Sequence, residues 1–391
     1  MSELDSLKIY GETQVGWDAA TPANETTDDD GRPYVPDPDS GRVDPRAPRR
    51  RVYDDPEVQA LRARLREKNG LVGVEICEPH EVERATRIFF RDGFVVVNNL
   101  LNSEQLERWR EASARVLRQI LEIKGQGGRK YITESGRLPH RYSYGTASAS
   151  RELLHDPVWA SMVDLPTTTP ILTRIFGTAD YFLRGAGGDL CLPGAIEYQG
   201  LHADTRDDFR ITPERMKQAE RVGIRLDKVP GTDELTPATV GLILERTPPH
   251  VTINFLMSDF TWENGPIRQI PGTHGLVPHP PKLADEPEWM RLSTLVGAKA
   301  GAGVFRDNRA WHGATPNLSK EIRAMPNVEY HAPWVDPSRY WKSMPHAIWE
   351  TLSPHAQHIA RHVKEAPGVW PAGAGVMHPL AARRKEAKQP A

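Results

Sequence analysis

The sequence predicts an α+β chain in which a helical layer comes first and a β-sandwich or jelly roll follows. Apolar residues recur at helical spacing before residue 121: Val58, Leu61 and Leu65, then Val82, Ala85 and Phe89, then Leu106, Trp109, Val116, Leu117 and Ile120. Beyond residue 150 the apolar runs shorten, at Leu190–Leu192, Val240–Leu244, His250–Met257, Gly303–Phe305 and Asn327–Tyr330, and Gly, Pro and Asn break them as they break strands. No strand–helix alternation and no fixed-period repeat appears, which disfavours a doubly wound sheet or a solenoid.

Taken in order, residues 57–68 and 81–91 read as amphipathic helices. Gly93–Val97 is a short β-rich run, and Asn102 with Gln105 three residues on has the form of a capping box that opens a long helix. Residues 1–56 read as a flexible arm, because Ala19–Arg51 is rich in Asp, Pro, Thr and Arg and buries too little apolar area to offset its ordering entropy. One globular unit is expected over 57–340, with a 205–249 insertion whose Pro213–Leu226 part looks helical, and a C-terminal helix and tail over 341–391.

Lys plus Arg number 50 against 52 Asp plus Glu, so no global charge argues for a nucleic-acid or membrane-surface partner. Only Cys77 and Cys191 are present, far apart, which leaves neither a disulfide framework nor a CxxC motif and points to a reducing, cytoplasmic compartment. No run approaches the roughly 18 apolar residues of a membrane span. The expected partner is a small molecule, with no nucleic acid and no membrane, on a monomer or homodimer.

The informative segment is Gln199-Gly200-Leu201-His202-Ala203-Asp204. Residues i and i+2 of a strand share a face, so His202 and Asp204 can present an imidazole and a carboxylate to one point. A further histidine would complete the 2-His-1-carboxylate set that holds Fe(II) on one face and leaves the opposite positions open. His312, in Ala310-Trp311-His312-Gly313-Ala314-Thr315, sits where strands are expected to turn. An H-x-D pair alone is weak, since the chain has 14 His and a surface strand explains most such pairs.

The surrounding motifs add specificity. Asn264-Gly265-Pro266-Ile267-Arg268-Gln269-Ile270-Pro271-Gly272-Thr273-His274 lies between the two histidines, and Arg323 follows His312 by eleven residues. With Phe90–Val97 and Leu100–Leu106, these features resemble the phytanoyl-CoA dioxygenase family of Fe(II)/2-oxoglutarate oxygenases over roughly residues 80–335. The resemblance implies a cupin-like, double-stranded β-helix core. It implies His202, Asp204 and His312 as iron ligands and Arg323 as partner of the far carboxylate of 2-oxoglutarate, with Fe(II), 2-oxoglutarate and O2 as cofactors. The implied activity is oxidation of an unactivated C–H bond with release of succinate and CO2, by default a hydroxylation, with desaturation, ring formation and epimerisation as the other outcomes open to the same substrate radical. Guanidinium suits that role because its planar fork matches a carboxylate.

On the strand 251–257, Thr252 and Asn254 share the face opposite Val251, Ile253, Phe255 and Met257, which makes them cosubstrate or substrate contacts if that face lines a barrel interior. Thr315 stands in for the hydroxyl that some relatives place where this chain has Ala314. The insertion that begins after Asp204 reads as a lid, with Arg206 and Arg210 the contacts to an acidic substrate group. His355, His358 and His362 read as a solvated helix face, and Gly125–Lys130 as a loop. The competing readings are a metal-dependent jelly-roll isomerase or hydrolase without 2-oxoglutarate, and a ligand-binding barrel without catalysis.

Overall fold

A computed structural model describes Trp17 and residues 52–122, 140–148, 152–275, 279–337 and 342–371. Its helices are α1 (Pro56–Lys68), α2 (Val82–Asp92), α3 (Ser103–Glu122), α4 (Pro157–Ala160), α5 (Thr169–Phe176), α6 (Pro213–Arg221), α7 (Pro237–Arg246), α8 (Glu288–Leu292), α9 (His346–Trp349) and α10 (Pro354–Ile359). Its strands are β1 (Ile76–Cys77), β2 (Phe94–Val97), β3 (Arg141–Ser143), β4 (Phe182–Cys191), β5 (His250–Phe255), β6 (Arg268–Gln269), β7 (Gly303–Asp307), β8 (His312–Gly313) and β9 (Arg323–His331).

Seven strands form the major sheet in the order β1-β2-β7-β5-β9-β4-β3, parallel at β1–β2 and antiparallel elsewhere. Facing it, β6 and β8 pair antiparallel, and single bridges from His202 to His312 and from Arg268 to Thr294 extend this small sheet on both sides. The architecture is the expected α+β double-stranded β-helix.

Strand periodicity of two divides each central strand between two environments. Val251, Ile253 and Phe255 of β5, Phe305 of β7, and Ala324, Val328 and Tyr330 of β9 enter the main core with Phe89, Trp109, Leu117 and Ile175 of the helices. The opposite faces look between the sheets. There Phe94, Val96, Val304 and Met325 pack with Ile267 and Leu295 and close one end of the barrel, while the other end stays polar and open.

The local signals act as their chemistry requires. Gln105 N–H donates to Asn102 Oδ1 at 2.8 Å and Asn102 N–H donates to Gln105 Oε1 at 3.0 Å, a reciprocal capping box at the start of α3. Gly93 ends α2 at φ +82°, and a Cβ there would lie 2.6 Å from His274 Nδ1. Glycine meets both demands.

Several expectations need correction. Val240–Leu244 lies within helix α7, not a strand: Thr236 accepts from Thr239 N–H as N-cap and Pro237 occupies the first turn. The helix after Pro213 ends at Arg221, short of Leu226, where Gly223 takes φ +90°. Of the histidines read as a solvated face, His358 is exposed as expected, beside Asp180 at 2.7 Å, whereas His355 is half-buried against Asp164 at 3.0 Å. Trp17, within the segment read as a flexible arm, is buried with Val58, Leu65 and Leu318 and donates to Ser319 O at 2.6 Å. The Gly125–Lys130 loop and the tail beyond residue 371 lie outside the described residues.

Candidate metal centre and active-site cavity

His202 lies in an extended segment that makes one bridge, not in a regular strand, yet the spacing argument survives. His202 and His312 exchange backbone hydrogen bonds at 3.0 Å each way, and the N–H groups of Asp204 and Thr205 both donate to Asn308 O. Behind this segment, fully buried Arg268 ion-pairs with fully buried Glu286 and donates to Gln199 O, while Glu286 Oε1 accepts from Leu201 N–H at 3.1 Å. Arg268, from the Asn264–His274 motif, thus fixes the H-x-D segment. Arg268→Ala is expected to cost about 3–5 kcal/mol, because Glu286 is left buried without its cation, and urea unfolding measures it.

The ligand atoms of His202, Asp204 and His312 lie within 4.8 Å of one another. Asp204 Oδ1 is 3.5 Å from His202 Nε2 and Oδ2 is 3.4 Å from His312 Nε2, while the two rings lie 4.3 Å apart at their centroids. Burial and Arg306 push His312 down to about 4, so its ring is neutral and keeps a lone pair. Burial opposes ionisation of Asp204, but Arg306 and hydrogen bonds from both histidines hold its carboxyl well below the usual range. Two imidazoles and one carboxylate converging from one side fit an Fe(II) ion that keeps open positions.

Arg306 went unnoticed in the sequence. It alternates with Val304 on the inner face of β7, donates to Asp204 Oδ2 at 2.8 Å, and stands 2.7 Å from the His312 ring nitrogens. A usable signal existed: a cation in phase with an apolar inward residue on the strand just before the distal histidine.

All of these side chains line one cavity of about 1080 Å³, large enough for a cosubstrate and a drug-sized molecule. Arg323 and Asn254 line it, as does Arg141 of β3, which sequence reasoning missed. Arg323 is buried and donates to Gly265 O at 3.1 Å and Asp189 O at 3.3 Å. Arg141 is buried beside it and donates to Glu197 O, Thr315 O and Cys191 Sγ. Burial first, and also the like charge of Arg323, pulls Arg141 below the usual guanidinium range. Among the described residues neither guanidinium has a carboxylate in ion-pair contact.

Other expected contacts fall elsewhere. Thr315 donates its hydroxyl to Pro266 O and does not line the cavity. Thr252 is fully buried on the inner face of β5, between Arg306 of β7 and Glu329 of β9, with Oγ1 unpartnered among the described residues. Arg206 and Arg210 are exposed and do not line the cavity; Arg210 pairs with its neighbour Asp208. Asp207 between them turns inward to Arg215 and Arg309, which anchors the insertion through a buried ion network. The insertion packs its own small core of Ala219, Val222, Ile224 and Ile243 on Phe90, and of residues 205–249 only Thr205 lines the cavity.

Residues 238–325 match the family described as phytanoyl-CoA dioxygenase (PhyH). The chain carries sequence of that family. It is an Fe(II)/2-oxoglutarate-dependent enzyme, with Fe(II), 2-oxoglutarate and O2 as the cofactors. Among solved structures it is similar to the non-haem α-ketoglutarate dependent epimerase SnoN from nogalamycin biosynthesis, at 18% identity and TM-score 0.43 over 65% of this chain and 82% of that one. It is also similar to HygX from Streptomyces hygroscopicus, solved with nickel, 2-oxoglutarate and hygromycin B bound, at 15% identity and TM-score 0.43 over 67% and 90%. AviO1 from Streptomyces viridochromogenes Tue57 shows 17% identity and TM-score 0.42 over 66% and 97%. No helix among the described residues is long and apolar enough to cross a membrane.

Proposed function

We propose that this phytanoyl-CoA dioxygenase-type enzyme hydroxylates an unactivated C–H bond of a small metabolite or natural-product intermediate. Substrate R–H, O2 and 2-oxoglutarate become R–OH, succinate and CO2. His202, Asp204 and His312 hold the iron, and Arg323 with Arg141 receives the far carboxylate of 2-oxoglutarate. Iron and 2-oxoglutarate, when bound by these residues, would supply the oxidising chemistry. The chain's residues do the rest. Arg306 holds the Asp204 carboxylate in place, the two buried guanidiniums orient the dicarboxylate, and Asn254 offers its amide from the β5 wall of the cavity. The apolar plug around Val304 and Met325 excludes water from the closed end.

The observation that carries this reading is the opening of the His-Asp-His cluster and two buried, carboxylate-free arginines onto one cavity. A hydrolase or isomerase without 2-oxoglutarate gives no reason to bury two cations side by side. The test loads the protein anaerobically with Fe(II) and 2-oxoglutarate, admits O2, and reads succinate and product mass across metabolite classes. Succinate formed in step with a product 16 mass units heavier than substrate is expected. Substrate conversion independent of 2-oxoglutarate defeats the proposal.

A further inference from the structure

The cavity continues past the metal cluster to a second wall that the oxidation chemistry does not use. On β9, alternate residues from Arg323 to His331 face the cavity, so Glu329 lies six residues, or about 20 Å of strand, beyond the cosubstrate arginine. A bulge in β4 between Leu183 and Gly185 displaces Arg184 so that it meets Glu329. His250 Nε2 stands 3.4 Å from Glu329 on its other side. The Glu152 carboxyl lies against Gly185, the cross-strand partner of Glu329, at a spot any larger side chain would fill, and accepts from Ala186 N–H at 3.0 Å.

One buried hydrogen-bond acceptor on this wall, Asn308 Oδ1, looks into the cavity without a donor among the described residues. Arg184 pairs with Glu329 and Asn308 Nδ2 donates to His250, which leaves Asn308 Oδ1 as the unfilled acceptor among the described residues. Burial and the neighbouring Glu329 charge push the Glu152 carboxyl up to about 8, which an approaching cation would reverse. An acyl chain placed here would take these carboxyls out of water and return no hydrogen bonds.

We infer that this wall, built by Glu152, Glu329, Arg184, His250 and Asn308, is the substrate-recognition site, and that it takes a hydroxylated small molecule bearing a protonated amine. This rests on the oxygenase reading above. The ammonium sits against Glu152 and Glu329, hydroxyls donate to Asn308 Oδ1, and the remainder of the molecule reaches toward the His-Asp-His cluster.

The test uses the full chain loaded anaerobically with Fe(II) and 2-oxoglutarate, with glucosamine, glucose and decanoyl-CoA as class probes in equilibrium binding. 2-Oxoglutarate affinity is measured on the same samples. Glucosamine is expected to bind about tenfold more tightly than glucose, which differs at the amine, and Glu152→Gln or Glu329→Gln is expected to erase that preference while 2-oxoglutarate affinity holds. Equal binding of the two sugars, or tighter binding of decanoyl-CoA, with 2-oxoglutarate still bound, overturns the amine assignment alone. Failure of the unmodified protein to bind 2-oxoglutarate overturns the oxygenase reading and this inference with it.

Discussion

Alanine at His312 or His202 is expected to lower Fe(II) affinity by more than about 100-fold while the protein still unfolds cooperatively. Loss of an outer partner of a metal ligand typically costs about 10–100-fold, and loss of the ligand itself costs more. The fold survives because the main core packs on the opposite face of the major sheet, against the helices, and draws nothing from these histidines. Arg306→Lys sets the scale between ligand and bystander: a point charge remains near Asp204, but the fork that spans Asp204 and His312 is gone, so a loss of about 10–100-fold is expected. Bound iron after desalting, together with a thermal melt on the same samples, reads both quantities. Full iron occupancy in both histidine variants would remove His202 and His312 from the metal centre.

What the sequence disclosed was whatever a short stretch of chain determines by itself. His202 and Asp204 are two residues apart, and both the capping box at Asn102 and Gln105 and the helix stop at Gly93 are completed within one turn. Arg323 became legible through its distance from His312. Arg141, Arg268 and Arg306 did not, because each is one cation among 50 and its role exists only once the two sheets close. Arg141 reaches the cosubstrate end through the pairing of β3 with β4, a contact between segments some 50 residues apart. Arg206 and Arg210 misled for the converse reason. Nearness to Asp204 in sequence does not place them in the cavity, because Asp207 is drawn inward by Arg215 and Arg309 and its neighbours then face solvent. The Val240–Leu244 run is ambiguous by periodicity, and the Thr236 cap with Pro237 was the signal that decides it.

Removing either cavity arginine at the closed end should affect 2-oxoglutarate far more than iron. Arg323→Ala is expected to weaken 2-oxoglutarate by about 30-fold to several thousand-fold, corresponding to about 2–5 kcal/mol for a buried charge-assisted contact. Arg141→Gln is expected to fall within the lower part of that range, because several of its N–H groups already serve Cys191, Thr315 and Glu197, whereas Arg323 Nη2 makes no hydrogen bond among the described residues. The two losses should not add. Each cation raises the cost of burying the other while the seat is empty, so removing one relieves its neighbour, and the double variant should lose less than the sum of the two single losses. Calorimetric titration of 2-oxoglutarate into anaerobic, Fe(II)-loaded protein measures each affinity, with iron content as the control that separates loss of the anion seat from loss of the fold. Monocarboxylic 2-oxo acids supply an independent check, because they lack the carboxylate that these arginines would receive. Their affinity should be weak in the unmodified protein and nearly indifferent to Arg323→Ala. A 2-oxoglutarate affinity that survives both substitutions moves the dicarboxylate to another part of the cavity, and Lys282 at its rim is then the next cation to remove.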